Sequence, residues 1–310
     1  MALIFDAVRN VRIGEPTLFR NLAVFPLFGS DAGAADYLTL DEALEQKCSE
    51  VTEVSEGGSV PELKFINSGE RAVFLLDGEQ LIGAKQNRVL NLSILVAGSR
   101  TIIIPVSCVE AGRWRHRTSH FSSDQSAYYA EGRARKMAQV SLSLSSTGQR
   151  RSDQFKVWED IKEKSSRFSV VSDTSAMSDI FEKEEARLKD YEKSFQVQEG
   201  QSGAVFAING KVVGFDLFDS AETLKKLFPK LLQSYGLDAL DHDRRESSGE
   251  KAACGLKDVD AFLKSITEAE AEEFKAVGEG RDVRLSGKEL TGAALIVDNR
   301  VIHMSAFAVK

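Results

Sequence analysis

Cysteine and histidine are scarce in this sequence, and their spacing does not suit metal binding. The three cysteines, Cys48, Cys108 and Cys254, lie far apart and form no Cys-x-x-Cys pair, and the four histidines form no His-Glu-x-x-His pattern. A disulfide framework and a zinc site are therefore both disfavoured. We expect no metal centre and a reducing compartment, which makes the cytoplasm the predicted location.

Long apolar runs and familiar cofactor motifs are also missing. No run approaches the roughly 20 residues of a membrane-spanning helix, and the apolar start MALIF is followed at once by Asp6 and Arg9. We therefore expect neither a secretory signal nor a membrane partner. The nucleotide patterns GxGxxG and GxxxxGK[ST] and the hydrolase pattern GxSxG do not occur. We expect no cofactor, and any nucleotide binding must use an arrangement that these patterns do not describe.

The net charge of −7 conceals one basic segment. Between Arg100 and Lys156 there are ten Lys/Arg and four Asp/Glu, a local charge of +6 that leaves −13 for the rest of the chain. Proteins that bind nucleic acid usually present a broad basic face, so this balance disfavours a nucleic-acid partner. A compact anionic small molecule held in one place suits it better. The alternative is that these side chains are solvated or paired with acidic helices.

Three segments share one pattern, in which an apolar run, a turn dipeptide and a second apolar run follow one another. The segments are AVFLLDGEQLIG (72–83), AVFAINGKVVG (204–214) and AALIVDNRVIH (293–303). Asp-Gly and Asn-Gly between β-prone runs favour type I′ turns. We therefore predict three β-hairpins, with tips at Asp77-Gly78, Asn209-Gly210 and Asp298-Asn299.

Amphipathic periodicity predicts helices in the remaining segments. They are 123–140, 152–164, 176–195, 219–235 and 258–277. Pro229 should kink or divide the fourth helix. The predicted class is α+β, with antiparallel β-hairpins forming a sheet and several amphipathic helices inserted between them. We divide the chain into a β-rich part, 1–149, that carries the polar motifs, and a helix-rich part, 150–310, with two further hairpins; one integrated domain is the alternative.

Four long polar residues, Lys85-Gln86-Asn87-Arg88, stand between two apolar stretches that should be buried. The matching stretches after the other two predicted hairpins, GFDLFDS and HMSAFAV, are much less basic. In a loop, the two cations and the two amides can converge on one point. We predict that all four side chains bind a ligand and that Lys85 and Arg88 hold its phosphate.

A second polar group follows the strand predicted at 102–109, where Gly112 supplies a turn. Polar residues at a strand end before a turn commonly build a site on a rigid frame. Arg113 is predicted to clamp the phosphate together with Arg88, and Trp114 to stack on a base or a sugar. The alternative for Trp114 is a core or interface aromatic.

Three side chains are candidates for catalysis: Glu79, Glu110 and Cys108. A carboxylate beside Lys or Arg acts either as a general base or as a structural ion-pair partner, and both interpretations stay open. Neighbouring cations lower the pKa of a thiol, which favours Cys108 as a nucleophile, but a cysteine in a Val-Ser-Cys-Val strand is more often simply packed. Whether the protein is an enzyme is undecided at this point.

The motifs LDGEQLIGAKQNRVLN (76–91) and IPVSCVEAGRW (104–114) resemble a known family, the ARG- and rhodanese-phosphatase-superfamily-associated protein domain. The later stretches SDQFKVWEDI and GAVFAINGKVVGFDLF also fit, so the resemblance spans most of the chain. It implies a setting in NAD and ADP-ribose metabolism, because members of the family accompany ADP-ribosylglycohydrolases, but it implies no settled reaction. The positions that match are Glu79, Lys85, Gln86, Asn87, Arg88, Cys108, Glu110, Arg113 and Trp114.

Two functions of different classes follow from these motifs. The first is a site for an ADP-ribose- or NAD-like phosphorylated small molecule, which is either bound only or also hydrolysed or transferred. The second is a non-catalytic interaction or regulatory module that acts with ADP-ribose-processing enzymes, in which case the polar residues form an interface or a buried network.

Overall fold

The computed structural model describes residues 2–29, 33, 35–245 and 253–309. Within those ranges the chain forms seven helices and eighteen strands. The helices are α1 (Ala2–Arg9), α2 (Leu40–Glu45), α3 (Ala130–Thr147), α4 (Gln154–Arg167), α5 (Ser178–Ser194), α6 (Ala221–Arg245) and α7 (Leu256–Thr267). The strands are β1 (Arg12–Ile13), β2 (Thr17–Phe19), β3 (Leu22–Phe28), β4 (Tyr37–Thr39), β5 (Ser49–Glu53), β6 (Glu62–Asn67), β7 (Ala72–Leu75), β8 (Glu79–Gly83), β9 (Arg88–Leu90), β10 (Ile94–Val96), β11 (Arg100–Cys108), β12 (Phe121–Ala127), β13 (Gly203–Ile208), β14 (Lys211–Phe218), β15 (Glu270–Lys275), β16 (Arg281–Gly287), β17 (Leu290–Val297) and β18 (Arg300–Ala308).

The chain divides into two compact units. The terminal unit comprises residues 1–35, 186–276 and 280–310, and the central unit comprises residues 36–185 and 277–279. The boundary predicted at residue 149 lies inside the central unit. The terminal unit combines the first segment of the chain with later segments, so one division point along the chain does not describe the two units. None of the helices in the described ranges combines the length and the apolar character that crossing a bilayer requires.

One antiparallel sheet of nine strands organises the terminal unit. Its order is β1-β3-β13-β14-β18-β17-β16-β15, and β2 pairs with β3 off this path. On one face, side chains such as Phe25, Val205 and Phe215 pack with apolar residues of α1 and α7. On the other face α6 packs against β13, where the rings of Phe206 and Tyr235 stack with 3.8 Å between their centroids.

Two of the three predicted hairpins are confirmed, since β13 pairs with β14 and β17 pairs with β18. At the first tip Asn209 and Gly210 have φ angles of 50° and 75°. At the second, Asp298 and Asn299 have φ angles of 48° and 59°. Two consecutive residues at positive φ are typical of a type I′ turn, and Asn, Asp and Gly tolerate that conformation best.

The third predicted hairpin, with its tip at Asp77-Gly78, is wrong. A turn is present, because the Glu79 backbone N donates to the Leu76 carbonyl oxygen at 3.1 Å and Gly78 has a φ of 81°. Only the second central residue has a positive φ, as in a type II turn. The flanking strands therefore separate, and β7 pairs with β4 and β10 whereas β8 pairs with β9 and β12.

The central unit contains two sheets, with orders β12-β8-β9-β11-β6-β5 and β10-β7-β4. Their strands pair antiparallel except for β4 and β7, which are parallel. The core of this unit includes Leu63, Phe65, Leu81, Leu90 and Val106. Mostly antiparallel sheets with separate helices confirm the predicted α+β class.

Two of the predicted helices are wrong over part of their length. Residues 121–127 form β12, and α3 begins only at Ala130; residues 270–275 form β15 after α7 ends at Thr267. In both places pairing with a neighbouring strand outweighs a local helical period. Pro229 does not divide its helix, because it lies inside the single element α6.

Candidate functional site

The six-stranded sheet of the central unit brings the two polar motifs together. Strand β9 lies between β8 and β11, so that Arg88 is directly opposite Leu81 on one side and Cys108 on the other. Residues directly opposite one another in a sheet share a face. Arg88 therefore projects from the same face as the apolar core side chains Leu81 and Leu90.

Arg113 holds the loop that carries the Lys85–Arg88 run. Its Nη1 donates to the Ala84 carbonyl oxygen at 2.6 Å and its Nη2 to Asn87 Oδ1 at 3.2 Å. The Nε and Nη2 atoms also donate to Oε1 and Oε2 of Glu110 at 2.8 and 2.6 Å. Arg113 and Glu110 are both buried. One edge of the Arg113 guanidinium thus pairs bidentately with an internal carboxylate.

Glu110 is ionised in this arrangement. Burial raises the pKa of the Glu110 carboxyl, but the hydrogen bonds from Arg113 and from the backbone N of Asn87, at 2.9 Å, outweigh it and leave the pKa below its usual value. The carboxylate therefore serves as the counter-ion of Arg113 and fixes the Asn87 backbone. The general-base role predicted for Glu110 stays a prediction.

Arg88 is buried without a matching internal anion. Its side chain has no accessible surface, and Nη1 donates to Gln86 Oε1 at 3.1 Å. The Nε and Nη2 atoms have no hydrogen-bond partner among the residues that the structure describes. Burial lowers the pKa of Arg88, and the electrostatic interactions of Arg88 with Cys108 and Glu53 offset that shift only in part. A buried, partly unsatisfied guanidinium is costly and is the feature of this site that most requires an explanation.

Gln86 and Cys108 orient Arg88. The Gln86 amide Nε2 donates to the Glu110 carbonyl oxygen at 2.9 Å, which turns Oε1 toward Arg88. The Cys108 thiol donates to the same Oε1 at 3.1 Å. Burial raises the pKa of the Cys108 thiol despite the opposing charge of Arg88. Cys108 is therefore a protonated, packed thiol in this structure, and its role as a nucleophile stays a prediction.

Lys85 and Arg88 both lie beside the Trp114 ring. Lys85 Nζ is 5.4 Å and Arg88 Cζ 5.6 Å from the ring centroid, within the range of cation–π attraction. Trp114 is 47 % exposed, so it is not a core aromatic. Lys85 is buried, and its Nζ donates to the carbonyl oxygens of Glu56 and, at 2.8 Å, Gly57.

Glu79 lies at the start of β8, two residues before Leu81, the strand partner of Arg88. Its Oε2 accepts from the Leu76 backbone N at 3.2 Å, and its Oε1 accepts from Ser123 Oγ at 3.5 Å. The carboxylate thus fixes the Leu76–Glu79 turn. The catalytic role predicted for Glu79 stays a prediction.

Several residues of the site were missed in the sequence. Asp77, read as a hairpin tip, pairs with Lys136 from α3, which also donates to the Leu90 carbonyl oxygen at 2.8 Å. The carboxamide of Gln154 in α4 bonds both the backbone N and the carbonyl oxygen of Cys108, at 2.8 and 2.7 Å. The spacing of Lys136 and Val140, four residues apart as on one face of a helix, was the available signal for Lys136, whereas nothing local indicated Gln154.

Comparison with known proteins identifies one family. The model described as ARG and Rhodanese-Phosphatase-superfamily-associated Protein domain matches residues 10–307, nearly the whole chain. None of the curated proteins and none of the solved structures that were compared matches the chain. The matched region includes both polar motifs.

Proposed function

The chain belongs to the ARG and Rhodanese-Phosphatase-superfamily-associated Protein domain family, and from this premise we propose that it binds an ADP-ribose- or NAD-like phosphorylated small molecule. Arg88 is the phosphate contact, and Trp114 is the surface on which a base or a sugar stacks. The proposal names no cofactor, and it is compatible with a protein partner in ADP-ribose processing.

One observation carries the proposal. The Nε and Nη2 atoms of Arg88 form one edge of the guanidinium, and neither has a hydrogen-bond partner in the described part of the chain. The same edge of Arg113 binds a carboxylate. Two parallel N–H groups match the spacing of phosphate or carboxylate oxygens. An anionic ligand would give Arg88 the charge compensation that Glu110 gives to Arg113.

The surroundings of Arg88 favour a ligand that carries both charge and a flat group. Trp114 offers a half-exposed indole next to the buried cation, and Lys85 adds a second positive charge near the same ring. Aromatic stacking contributes affinity for a base of any identity. A phosphate joined to a nucleoside satisfies both features, whereas inorganic phosphate satisfies only one.

A second candidate function is a binding or regulatory module without catalysis. The state of Glu110 favours this function. Both of its carboxylate oxygens accept hydrogen bonds from Arg113. The pKa of Glu110 is lowered from its usual value and is not raised toward neutrality. A general base or acid usually has a pKa near the working pH. Glu110→Gln, if it keeps ligand binding, separates this module from an acid–base enzyme, which would lose turnover of a bound substrate.

Ligand binding is tested by thermal unfolding with ADP-ribose, NAD, ADP and pyrophosphate. A ligand present at a hundred times its Kd should stabilise the protein by about 2.7 kcal/mol. Arg88→Met should abolish the rise in melting temperature. Arg115→Met is the matched control, because Arg115 is an exposed arginine of the same basic segment. No rise with any of the four compounds, or an equal rise in Arg88→Met, would contradict the proposal.

A further inference from the structure

The proposed phosphate contact is closed to solvent. Arg88 has no accessible surface, although the Trp114 ring beside it is 47 % exposed. An anion can therefore reach Arg88 only if part of the cover moves. Trp114 lies beside Arg88, and the segment Ser55-Glu56-Gly57-Gly58 packs against Trp114 and Lys85. This segment follows β5 and closes on itself through a hydrogen bond from the Gly58 N to the Ser55 carbonyl oxygen at 3.0 Å.

The 55–58 segment binds Lys85, the second cation of the site. The carbonyl oxygens of Glu56 and Gly57 accept from Lys85 Nζ, and Glu53, at the end of the preceding strand, accepts from the Lys85 backbone N at 3.3 Å. The two carbonyl oxygens are neutral acceptors directed at the Lys85 ammonium. They resemble in chemistry the oxygens that a phosphate would present to it.

Gly58 is the residue that lets the 55–58 segment close. Its φ is 75°, a conformation that favours glycine. A Cβ there would lie 3.1 Å from Glu53 Oε2, 3.2 Å from Lys85 Cδ and 3.3 Å from Trp114 Cζ2. The segment therefore packs on Lys85 and Trp114 at a distance that only glycine accommodates without displacement.

We propose that the 55–58 segment is an internal competitor for the ligand: it covers Arg88 and holds Lys85 with the carbonyl oxygens of Glu56 and Gly57 until an anion displaces it. This inference rests on the proposed function and adds its regulation. A bound anion replaces the two neutral carbonyl oxygens at Lys85 Nζ with charged oxygens, so the exchange favours ligands of high charge density. Residues 55–57 are exposed, and moving them uncovers little apolar surface.

The proposal predicts that opening limits binding. With pyrophosphate as the probe and tryptophan fluorescence as the signal, the observed association rate of the unaltered protein should reach a plateau as pyrophosphate increases. Gly58→Ala should raise that plateau and tighten the apparent Kd, each by about tenfold, because the apparent Kd varies inversely with the fraction of open molecules. Gly57→Ala is the matched control, since a Cβ there meets only Ser55 Oγ at 3.8 Å, and it should behave as the unaltered protein does.

A second variant tests whether the effect of Gly58→Ala comes from opening of the segment and not from local unfolding. Lys85→Gln removes the ammonium that anchors the segment without adding backbone strain, and it should also raise the plateau while it weakens the final affinity. Pyrophosphate binding with no plateau, and with equal rates in all variants, would overturn the competitor and leave the binding function intact. No binding of pyrophosphate, ADP, NAD or ADP-ribose in any variant, including Gly58→Ala, would overturn the binding function and the competitor together.

Discussion

Two buried arginines of the central unit, Arg113 and Arg88, differ in what their guanidinium edges meet. The Nε and Nη2 edge of Arg113 pairs with Glu110, and its other N–H groups donate to carbonyl oxygens of the loop. The same edge of Arg88 meets no acceptor among the described residues. The first arginine is thus part of the scaffold. The second carries a desolvation cost that its hydrogen bond to Gln86 and its contact with the Trp114 ring offset only in part, which is typical of groups kept for function.

Removing the scaffold arginine is expected to have the largest effect. Arg113→Met leaves Glu110 buried as an uncompensated charge and removes the side-chain hydrogen bonds that hold the loop at the Ala84 carbonyl oxygen and Asn87 Oδ1. Breaking a buried ion pair in this way costs about 3–5 kcal/mol of unfolding free energy. Urea denaturation measures it, with exposed Arg115→Met as the control. A loss below about 1 kcal/mol, the range of an exposed pair, would show that Arg113 is not a scaffold residue.

Removing the other arginine is expected to be mild for the fold and severe for binding. Arg88→Met deletes a buried charge to which no carboxylate of the described residues is hydrogen-bonded, so the unfolding free energy without ligand should change by less than about 1 kcal/mol or increase. The ligand-induced rise in melting temperature should vanish. A destabilisation as large as that of Arg113→Met would remove the contrast between the two arginines.

The pH dependence of stability should report Glu110. Because the folded-state pKa of Glu110 is lowered, its ionised form stabilises the fold at pH values above the unfolded-state pKa of about 4.3, and this contribution is lost as the pH falls through the folded-state pKa. The unfolding free energies of the unaltered protein and of Glu110→Gln should therefore differ most near neutral pH and converge in acid. A difference that does not depend on pH would contradict the ion pair.

The smallest expected effect concerns Cys108. Burial raises the pKa of its thiol and removes it from solvent, so iodoacetamide should not label Cys108 in the folded protein at neutral pH. Cys48 and Cys254, which are partly exposed, serve as internal controls in the peptide mass spectrum. Rapid labelling of Cys108 in the folded state would instead favour cysteine chemistry at the site.

Residue types were sufficient to predict two turns of the fold but not a third. Asn209-Gly210 and Asp298-Asn299 form the type I′ turns that their residue types favour, because Asn, Asp and Gly tolerate the positive φ that both central residues of such a turn require. Asp77-Gly78 looked the same in sequence but forms a different turn. Its conformation depends on Asp77 being buried against Lys136, 59 positions away.

Residue types and the order of neighbouring strands were sufficient to predict the α+β class, the two type I′ hairpins and the grouping of Lys85–Arg88 with Arg113 and Trp114. Which of the two arginines receives a carboxylate is evident only in the folded chain. That choice depends on the hydrogen bonds that Arg113 donates to Glu110 and Asn87 and that the Asn87 backbone N donates to Glu110. Side-chain charge alone does not distinguish Arg113 from Arg88, because the distinction arises from which buried atoms the packed sheet places within reach of each guanidinium.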